Sequence, residues 1–358
     1  MAEQKKIRPG TKYAKVLEGL RVKILSGEYN GLLPGVQVLG QEYDVNLMTA
    51  NKAVNMLVDE GLLFRIPRQG TYVKRVRSHT LAALLPNPYG PLQGYLIHGV
   101  EGGARATGNH FIFQAHREDP EQELEAVKRL FNDNKADGLV WWPCHSVGES
   151  RSLAYVLEND FPYVKVISVE EQKNPEYSSV ISNDVGGAEM AVKHLVEQGC
   201  TKIAYVIPHG CSEWDRNVQL RRTGYQNVIK DAGLEALPEL RVDVGKLAGK
   251  YEVDVAPELI GELKSCDGVF FFNDIIASKT LKHLEVSEVK VPEDLAVVGY
   301  DNIELAELFG ITTVWQNFKQ IGKTAVDVLM RHIEDRDAAP EQIMMEPELI
   351  IRKSSKRR

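Results

Sequence analysis

Apolar residues in the first 76 positions recur three times at helical spacing and then form two short runs of strand length. The predicted elements are helices at Tyr13–Leu25, Val36–Tyr43 and Met48–Glu60, and strands at Leu62–Ile66 and Thr71–Val76. Asn46 precedes the third helix as a candidate N-cap, and Gly61 ends that helix. A tight turn over 44–46 joins the second and third helices, and a β-hairpin follows the third. This order predicts a winged helix-turn-helix.

From residue 80 onward, apolar runs of strand length alternate with amphipathic stretches of helical length. The runs lie at Leu81–Leu85, His110–Ala115, Gly138–Trp142, Tyr163–Ser168, Lys202–Ile207, Gly268–Phe272 and Leu295–Gly299. The helical stretches lie at Pro91–Thr107, Glu121–Asn132, Gly186–Glu197, Val218–Ala232, Val255–Lys264, Asp274–Leu284 and Lys319–Glu334. Such alternation predicts parallel sheets with helices on both faces, so the overall fold class is α/β with an α+β head.

Charge divides the chain at nearly the same place. Residues 1–78 contain 13 Lys and Arg against 7 Asp and Glu, a balance of +6. The remaining 280 residues contain 30 against 43, a balance of −13, which gives the formal charge of −7 for the whole chain. A basic module joined to an acidic one indicates that the first binds a polyanion and that the second has another role.

Composition excludes several other classes of protein. No stretch approaches the ~18 uninterrupted apolar residues of a membrane-spanning helix, and the first residues are polar, unlike a signal peptide. The four cysteines, Cys144, Cys200, Cys211 and Cys266, are scattered without C-x-x-C spacing, which is typical of reduced thiols. We therefore expect a cytoplasmic protein without membrane contact, metal or cofactor.

Several head motifs match a known family together. They are Leu33-Pro34, Tyr43-Asp44-Val45-Asn46, Glu60-Gly61-Leu62-Leu63 and Gly70-Thr71-Tyr72-Val73. By these motifs about 60 residues resemble the GntR family of bacterial regulators. The resemblance implies that double-stranded operator DNA is a partner, with the third helix in the major groove and the hairpin wing on phosphates or the minor groove.

Two head positions depart from the family pattern. Gln37 and Leu47 stand where the family usually has arginines that touch DNA, so we expect lower affinity per half-site and a different operator. Gln and Asn suit paired hydrogen bonds to adenine, Thr and Met can touch a thymine methyl, and Arg and Lys suit phosphate or guanine. Each of these positions could instead be an ordinary solvated residue. The candidate contacts are Gln37, Asn46, Met48, Thr49, Asn51, Lys52, Arg68, Gln69 and Gly70.

Polar residues follow several predicted strands of the acidic module. Asn273-Asp274 follow Phe270–Phe272, and Asp301-Asn302 follow Val297–Tyr300. Ligands of parallel sheets bind outside the carboxyl ends of the strands, so these side chains are candidate ligand contacts.

Longer motifs of the same module match a second family. They are Val180–Gly187 with His194-Leu195, Arg221–Tyr225, Phe272–Asp274 with Ala277, Pro292–Asp301, and Thr312–Val314 with Gln316 and Ile321-Gly322. By these motifs residues 80–350 resemble the effector domain of LacI/GalR repressors, which has the two-lobed fold of periplasmic sugar-binding proteins. Joined to a GntR head, the chain is similar to arabinose-repressor-like regulators.

The resemblance implies a small-molecule effector between the lobes, with a sugar expected. Asp and Asn can bond vicinal hydroxyls, Arg can span two oxygens, and an aromatic face can cover a sugar ring. The implied contacts are Arg221, Asn273 and Asp301, followed by Asn217, Asp274, Tyr251, Trp142, Phe318, Glu170 and Tyr89. Structural roles compete with these: Asp301 and Asp274 could cap the following segments, and Trp142 and Phe318 could belong to the core. A nucleobase remains an alternative effector, and a sugar phosphate is less favoured.

The predicted boundaries follow from both resemblances. The winged helix-turn-helix covers 1–74, a linker 75–79, and the effector domain 80–352, with a solvated basic tail at 353–358. One lobe is expected at 80–167 with 300–316, and the other at 180–298 with 320–350, with crossovers near 168–179, 299–304 and 314–320.

Three functions compete for this architecture. A sugar-binding transport component is disfavoured by the basic head and the polar N-terminus. An enzyme is disfavoured because the chain has no G-x-x-x-x-G-K-[ST], H-E-x-x-H or G-x-S-x-G motif. We therefore expect a homodimeric regulator that binds a palindromic operator, a repressor rather than an activator, with activation left open.

Overall fold

The computed structural model describes residues 11–25, 28–29, 31–67, 70–74, 77–144, 150–167, 177–209, 216–247 and 250–357, and only the backbone of 25, 245–247 and 250–252. The head comprises α1 (Lys12–Leu25), α2 (Val36–Glu42), α3 (Leu47–Asp59), β1 (Leu63–Ile66) and β2 (Gly70–Val73). The two strands pair antiparallel, with Leu63 opposite Val73. Their order confirms the predicted winged helix-turn-helix.

The head has its own hydrophobic core. Leu17 and Leu20 of α1 pack with Leu39 of α2, Leu57 of α3 and Leu63 of β1, and all five are buried. α3 begins where the Asn46 side chain accepts a hydrogen bond from the Thr49 amide at 2.8 Å. This cap satisfies one of the unpaired amides of the first turn and fixes where the third helix begins.

The body continues in chain order with three groups of elements. Residues 80–182 form β3 (Thr80–Leu85), α4 (Pro91–Ala106), β4 (His110–Ala115), α5 (Pro120–Asn132), β5 (Gly138–Trp141), α6 (Arg151–Glu158), β6 (Tyr163–Val166) and β7 (Ser178–Ser182). Residues 184–315 form α7 (Asp184–Glu197), β8 (Ile203–Pro208), α8 (Arg216–Asp231), β9 (Leu240–Leu247), β10 (Lys250–Asp254), α9 (Pro257–Leu263), β11 (Gly268–Phe271), α10 (Asp274–Val286), β12 (Ala296–Tyr300), α11 (Glu304–Phe309) and β13 (Thr312–Trp315). The last group is α12 (Phe318–Glu334), β14 (Gln342–Met345), β15 (Glu348–Ile350) and a short 3₁₀ turn, Lys353–Ser355.

Two sheets define two lobes, which confirms the α/β class. Lobe one contains a parallel sheet in the order β14-β7-β6-β5-β3-β4. Lobe two contains the order β10-β9-β8-β11-β12-β13-β15, antiparallel at both edges and parallel between them. Helices cover both faces of each sheet, because the strand residues facing either side are apolar and buried.

The predicted division of the body into lobes is wrong for 300–316, α12 and β14, whereas β15 lies in lobe two as predicted. β13 pairs with β12, which places 300–316 in lobe two, whereas α12 packs on the sheet of lobe one and β14 pairs with β7. The chain crosses between lobes at 183, 316–317 and 346–347. Alternation of strands and helices gives their order, but a strand's choice of sheet depends on distant pairing that the order does not encode.

The expected solvated tail is also corrected by the structure. Ser354 and Ser355 are buried, and the Ser354 hydroxyl donates to the Val297 carbonyl oxygen at 2.7 Å. The Arg357 guanidinium donates to the carbonyl oxygens of Pro292 and Asp294 at 2.9 and 3.0 Å. The Ser354 hydroxyl and the guanidinium of this segment bond main-chain carbonyl oxygens of lobe two, a pairing that charge composition does not reveal.

None of the helices in the described parts of the chain is both long enough and apolar enough to cross a membrane.

Candidate effector pocket and DNA-binding surface

A buried charge cluster lies in lobe two beside the crossovers. Arg221 of α8 is 3 % exposed, and its Nε donates to Asp184 Oδ1 at 2.7 Å. Its Nη1 donates to the Phe272 carbonyl oxygen at 2.6 Å, and its Nη2 lies 3.7 Å from Asp301 Oδ1. Burial opposes the charge, but the two carboxylates outweigh burial and raise the pKa of Arg221 further above its usual value.

Aromatic rings form one wall of this cluster. The Arg221 guanidinium carbon lies 3.7 Å from the Tyr300 ring centroid and 4.6 Å from that of Phe272. The planar guanidinium is therefore fixed by two rings and two acids, which gives it a single orientation.

Asp301 is the second fixed member of the cluster. It follows β12 with a backbone φ of 100°, and its Oδ1 accepts a hydrogen bond from Gln316 Nε2 at 3.0 Å. Burial raises the pKa of Asp301 to about 6, although Arg221 and Gln316 both oppose the shift. Gln316 lies in a crossover, and Asp184 directly follows another, so the cluster lies where the lobes meet.

Asp274 lies in the interior instead of at a surface that a ligand could reach. It has no exposed area, and its Oδ2 accepts the Ile303 amide at 3.1 Å. A Cβ on Gly299 would lie 2.1 Å from Asp274 Oδ1, so the glycine leaves room for the carboxyl beneath β12. Burial, and then the charge of Asp301, raises the pKa of Asp274 well above its usual value. This geometry favours the structural alternative, in which Asp274 supports the 301–303 turn.

Asn273 and Asn217 both lie at the start of a helix of lobe two. Asn273 caps α10, with its Oδ1 accepting the Ile276 amide at 3.0 Å, and this leaves the side-chain NH₂ group for another partner. Asn217 is half-buried in the first turn of α8, the helix that carries Arg221. Both positions therefore remain candidate contacts.

Trp142 and Phe318 stack on each other in lobe one. Their ring centroids are 5.8 Å apart, the planes differ by 17°, and both side chains are buried. The Trp142 Nε1 is buried and has no hydrogen-bond partner among the described residues. Phe318 already occupies one face of the indole, so Trp142 offers a hydrogen-bond donor more readily than a stacking face.

Three further residues complete the predicted effector contacts: Tyr89, Glu170 and Tyr251. Tyr89 is 82 % exposed on the loop before α4, and its hydroxyl makes none of the described contacts. Glu170 and the Tyr251 side chain lie outside the described residues.

The sequence did not predict two residues of the cluster, nor Arg216 on the helix that carries Arg221. Asp184 pairs directly with Arg221, and Gln316 fixes Asp301. Arg216 begins α8 with an Nε that is buried and unpartnered among the described residues. Both Asp184 and Gln316 stand inside motifs that carried the family resemblance, so the signal was present and was read as fold rather than site.

The exposed face of α3 forms the candidate DNA surface. Met48 is 81 % exposed, and Leu47, Asn51 and Lys52 are exposed beside it, whereas Thr49 is half-buried and engaged by the N-cap. Gln37 is exposed on α2, and the N-cap Asn46 is exposed with its Oδ1 already bonded. Gly70 begins β2 with a φ of 133°, a conformation that favours glycine, and Arg68 and Gln69 lie outside the described residues.

Arg65 was not predicted as a DNA contact. It lies on β1, and its Nη2 donates to Asn55 and, at 3.3 Å, to Asn51 of α3. The exposed guanidinium therefore lies against the outer face of the third helix, and cross-element contacts of this kind are not visible in sequence spacing.

Among the residues that the structure describes, one set of side chains has a spacing that could suit a metal ion: His116, Glu118 and Cys144. The His116 Nδ1 accepts the Glu118 amide at 3.2 Å, and its Nε2 lies 3.0 Å from the Trp142 carbonyl oxygen. Both ring nitrogens are engaged, and burial raises the pKa of the Cys144 thiol to about 12. The set therefore stabilises the strand ends of lobe one and is poorly suited to bind a cation.

Two family profiles match the chain. Residues 12–73 match the bacterial regulatory proteins of the gntR family, and residues 192–355 match the periplasmic binding protein-like domain. The HTH-type transcriptional repressor PurR of Vibrio campbellii (strain ATCC BAA-1116) is 30% identical over 272 residues, which cover 73% of this chain and 77% of that protein.

Solved structures share the fold. A transcriptional regulator CelR-cellobiose complex superposes with a TM-score of 0.65 at 21% identity, covering 97% of this chain and 100% of the other. A periplasmic binding protein/LacI transcriptional regulator from Alkaliphilus metalliredigens QYMF, complexed with D-xylulofuranose, gives 0.62 at 22% identity, covering 78% and 99%. These similar proteins are transcriptional regulators or binding proteins, not enzymes.

Proposed function

This chain belongs to the LacI/GalR family of DNA-binding transcriptional repressors and carries a GntR-type head, and we propose from this premise that a small neutral carbohydrate bound between its lobes controls operator binding. The observation that carries the proposal is the fixed cluster of Arg221, Asp184 and Asp301 beside the crossovers. It offers oriented acceptors and a guanidinium, the groups that recognise vicinal hydroxyls.

The charges of the cluster favour a neutral ligand. Arg221 is paired with two carboxylates and a carbonyl oxygen, so it has little unpaired charge to offer an anion. A phosphate or carboxylate placed here would face Asp184 and Asp301 at low effective dielectric, which is repulsive. Two of the similar solved structures hold a carbohydrate, cellobiose and D-xylulofuranose, which supports the same ligand class.

The position of the cluster supports control by lobe closure. Asn183 and Glu346 lie in two different crossovers, and the side-chain Nδ2 of Asn183 donates to the Glu346 carboxylate at 3.0 Å. A ligand that binds the cluster and also touches lobe one would favour one lobe arrangement by its difference in affinity for the two.

The head supplies the operator contacts in this proposal. A recognition helix with Met48, Asn51 and Lys52 exposed suits adenine and thymine edges together with phosphates. Two heads are needed to read a palindrome, so we propose a homodimer that acts in the cytoplasm and represses transcription until the sugar binds.

A thermal-shift screen of the full chain tests the ligand class. The panel pairs neutral sugars with matched anions, such as D-ribose with ribose 5-phosphate and D-glucose with D-gluconate, and adds adenine and hypoxanthine. A ligand at ~100 times its Kd stabilises the folded chain by roughly 2.7 kcal/mol, a shift of several degrees.

We expect a neutral sugar to stabilise the chain more than its anionic partner. Stabilisation by the anion alone would overturn the neutral-ligand proposal and point to Arg216 as an anion contact. Stabilisation by a base alone would replace the carbohydrate with a nucleobase.

A further inference from the structure

Two consecutive residues after β12 have an unusual backbone. Asp301 has a φ of 100° and Asn302 a φ of 51°. Non-glycine residues are disfavoured at positive φ, and they persist there when surrounding contacts fix them. Because Asp301 is the acid that faces Arg221, the shape of this turn decides where that carboxylate lies.

Main-chain contacts hold each side of the turn. The Asp301 amide donates to the Val314 carbonyl oxygen at 2.8 Å, and the Ile303 amide donates to Asp274 Oδ2 at 3.1 Å. The Asn302 amide has a longer bond, 3.3 Å, to the Thr313 hydroxyl. Asn302 is therefore the residue of the turn with the weakest main-chain restraint.

Arg352 holds the side chain of Asn302 by a hydrogen bond. Its Nη2 donates to Asn302 Oδ1 at 2.8 Å, and its Nη1 donates to the Ile311 carbonyl oxygen at 2.9 Å. One planar guanidinium thus joins the turn to the segment that leads into β13.

Arg352 is itself fixed by the segment around it. Its amide donates to the Thr312 hydroxyl at 2.8 Å, and that hydroxyl donates to the Arg352 carbonyl oxygen at 3.1 Å. The Ser355 hydroxyl donates to the same Thr312 oxygen at 2.6 Å. The guanidinium therefore projects from an ordered platform toward the turn.

We infer that Arg352 is a positioning residue of the effector pocket, which holds the left-handed 301–302 turn and thereby fixes the Asp301 carboxylate opposite Arg221. The inference rests on the proposed function for the role of the pocket, whereas the clamp on the turn stands on geometry alone. Arg352 is the last residue of the predicted effector domain, and the segment predicted as a solvated tail, 353–358, follows it directly.

The test compares three variants with the wild-type full chain. Arg352→Gln removes the clamp. Arg357→Gln is the matched control, because it removes a guanidinium of the same segment that bonds three carbonyl oxygens away from the turn. Asn302→Gly in the Arg352→Gln background is the rescue, because glycine adopts positive φ without a clamp.

Amide hydrogen exchange without ligand tests whether Arg352 restrains the turn. It is measured by mass spectrometry of overlapping peptides across 296–305, with 203–208 as the internal reference. Arg352→Gln should raise exchange at 301–303 by roughly tenfold, the effect of losing one charged hydrogen bond. Arg357→Gln should leave it within twofold, and Asn302→Gly should restore most of the protection.

Exchange that rises equally in both peptides, or a glycine variant that gives no rescue, would overturn the positioning role.

D-ribose and cellobiose titrations of the same proteins separate the two proposals. If the wild type binds one of them, Arg352→Gln should weaken binding about tenfold relative to Arg357→Gln, and equal affinities would remove Arg352 from the pocket. If the wild type binds neither sugar, that result counts against the carbohydrate proposal, and the exchange data still decide the clamp.

Discussion

The Asp137 carboxylate accepts hydrogen bonds from both the amide and the hydroxyl of Ser78, at 2.6 and 2.9 Å. Its other oxygen accepts the His79 amide at 2.9 Å, and Asp137 is buried. The residues that lead from the head into β3 are thus attached to lobe one. Movement of lobe one would therefore carry residues 78 and 79 with it.

We predict that Asp137→Ala frees this connection. Loss of four hydrogen bonds to a buried carboxylate, one of them from Arg77 Nε at 3.4 Å, should open the linker locally and speed tryptic cleavage between head and body by about tenfold or more. Asp133→Asn, at an exposed position of the same lobe, is the control. Equal cleavage rates for the two variants would show that Asp137 does not anchor the linker.

A second prediction concerns pH. Burial raises the pKa of Asp301 to about 6, whereas the unfolded value is about 3.9. The folded chain thus binds more protons between about pH 4 and pH 6, and the group's contribution to the free energy of unfolding falls as pH rises through that window.

Asp301→Asn removes this dependence. As the pH rises from 4 to 7, the free energy of unfolding of the variant should increase relative to that of the wild type by on the order of 2–3 kcal/mol. Urea denaturation at both pH values measures this difference. The exposed Asp133→Asn serves as reference. An identical pH response in the two variants would contradict the raised pKa of Asp301.

Arg65 gives a prediction about salt. Its guanidinium lies against Asn51 and Asn55 on the outer face of α3, where a phosphate would approach. Arg65→Gln should reduce the slope of log Kd against log salt by about one per head, measured by anisotropy on a duplex selected from a random library. Lys279→Gln, an exposed lysine of the body, should leave the slope unchanged. An unchanged slope for Arg65→Gln would place Arg65 away from DNA.

Trp142 gives a prediction about donor chemistry. Its Nε1 has no partner among the described residues, so Trp142→Phe should cost at most about 2 kcal/mol of stability while keeping the stack with Phe318. Sugar affinity should fall at least about fivefold if the indole donates to a ligand oxygen. Unchanged affinity by calorimetry would assign Trp142 to the core alone.

Periodicity and motifs predicted the head, the sheet-and-helix body and the order of most strands. They did not predict which lobe receives α12 and β14, because the pairing of β14 with β7 joins residues more than 160 positions apart. Edge strands such as β10 and β15 were also missed, since their residues are mixed in polarity.

The candidate site shows the same limit at the level of side chains. Arg221 and Asp301 were identified from motifs, and the structure brings them within 3.7 Å. Asp274 came from another motif of the same resemblance but lies under β12, because burial depends on the space left by Gly299. Arg352 was predicted only as the last residue of the effector domain, because its role depends on a turn fifty residues earlier in the chain.

Control of operator binding through the pocket is tested most directly by measuring operator affinity with and without the sugar found by thermal shift, in the wild type and in Asp301→Asn. Fluorescence anisotropy of the selected duplex should show that the sugar weakens wild-type binding at least about fivefold. Asp301→Asn should bind the duplex like the wild type without sugar and show no response to it. A sugar response of equal size in both proteins, or no response in the wild type, would contradict control through the Arg221–Asp301 pocket.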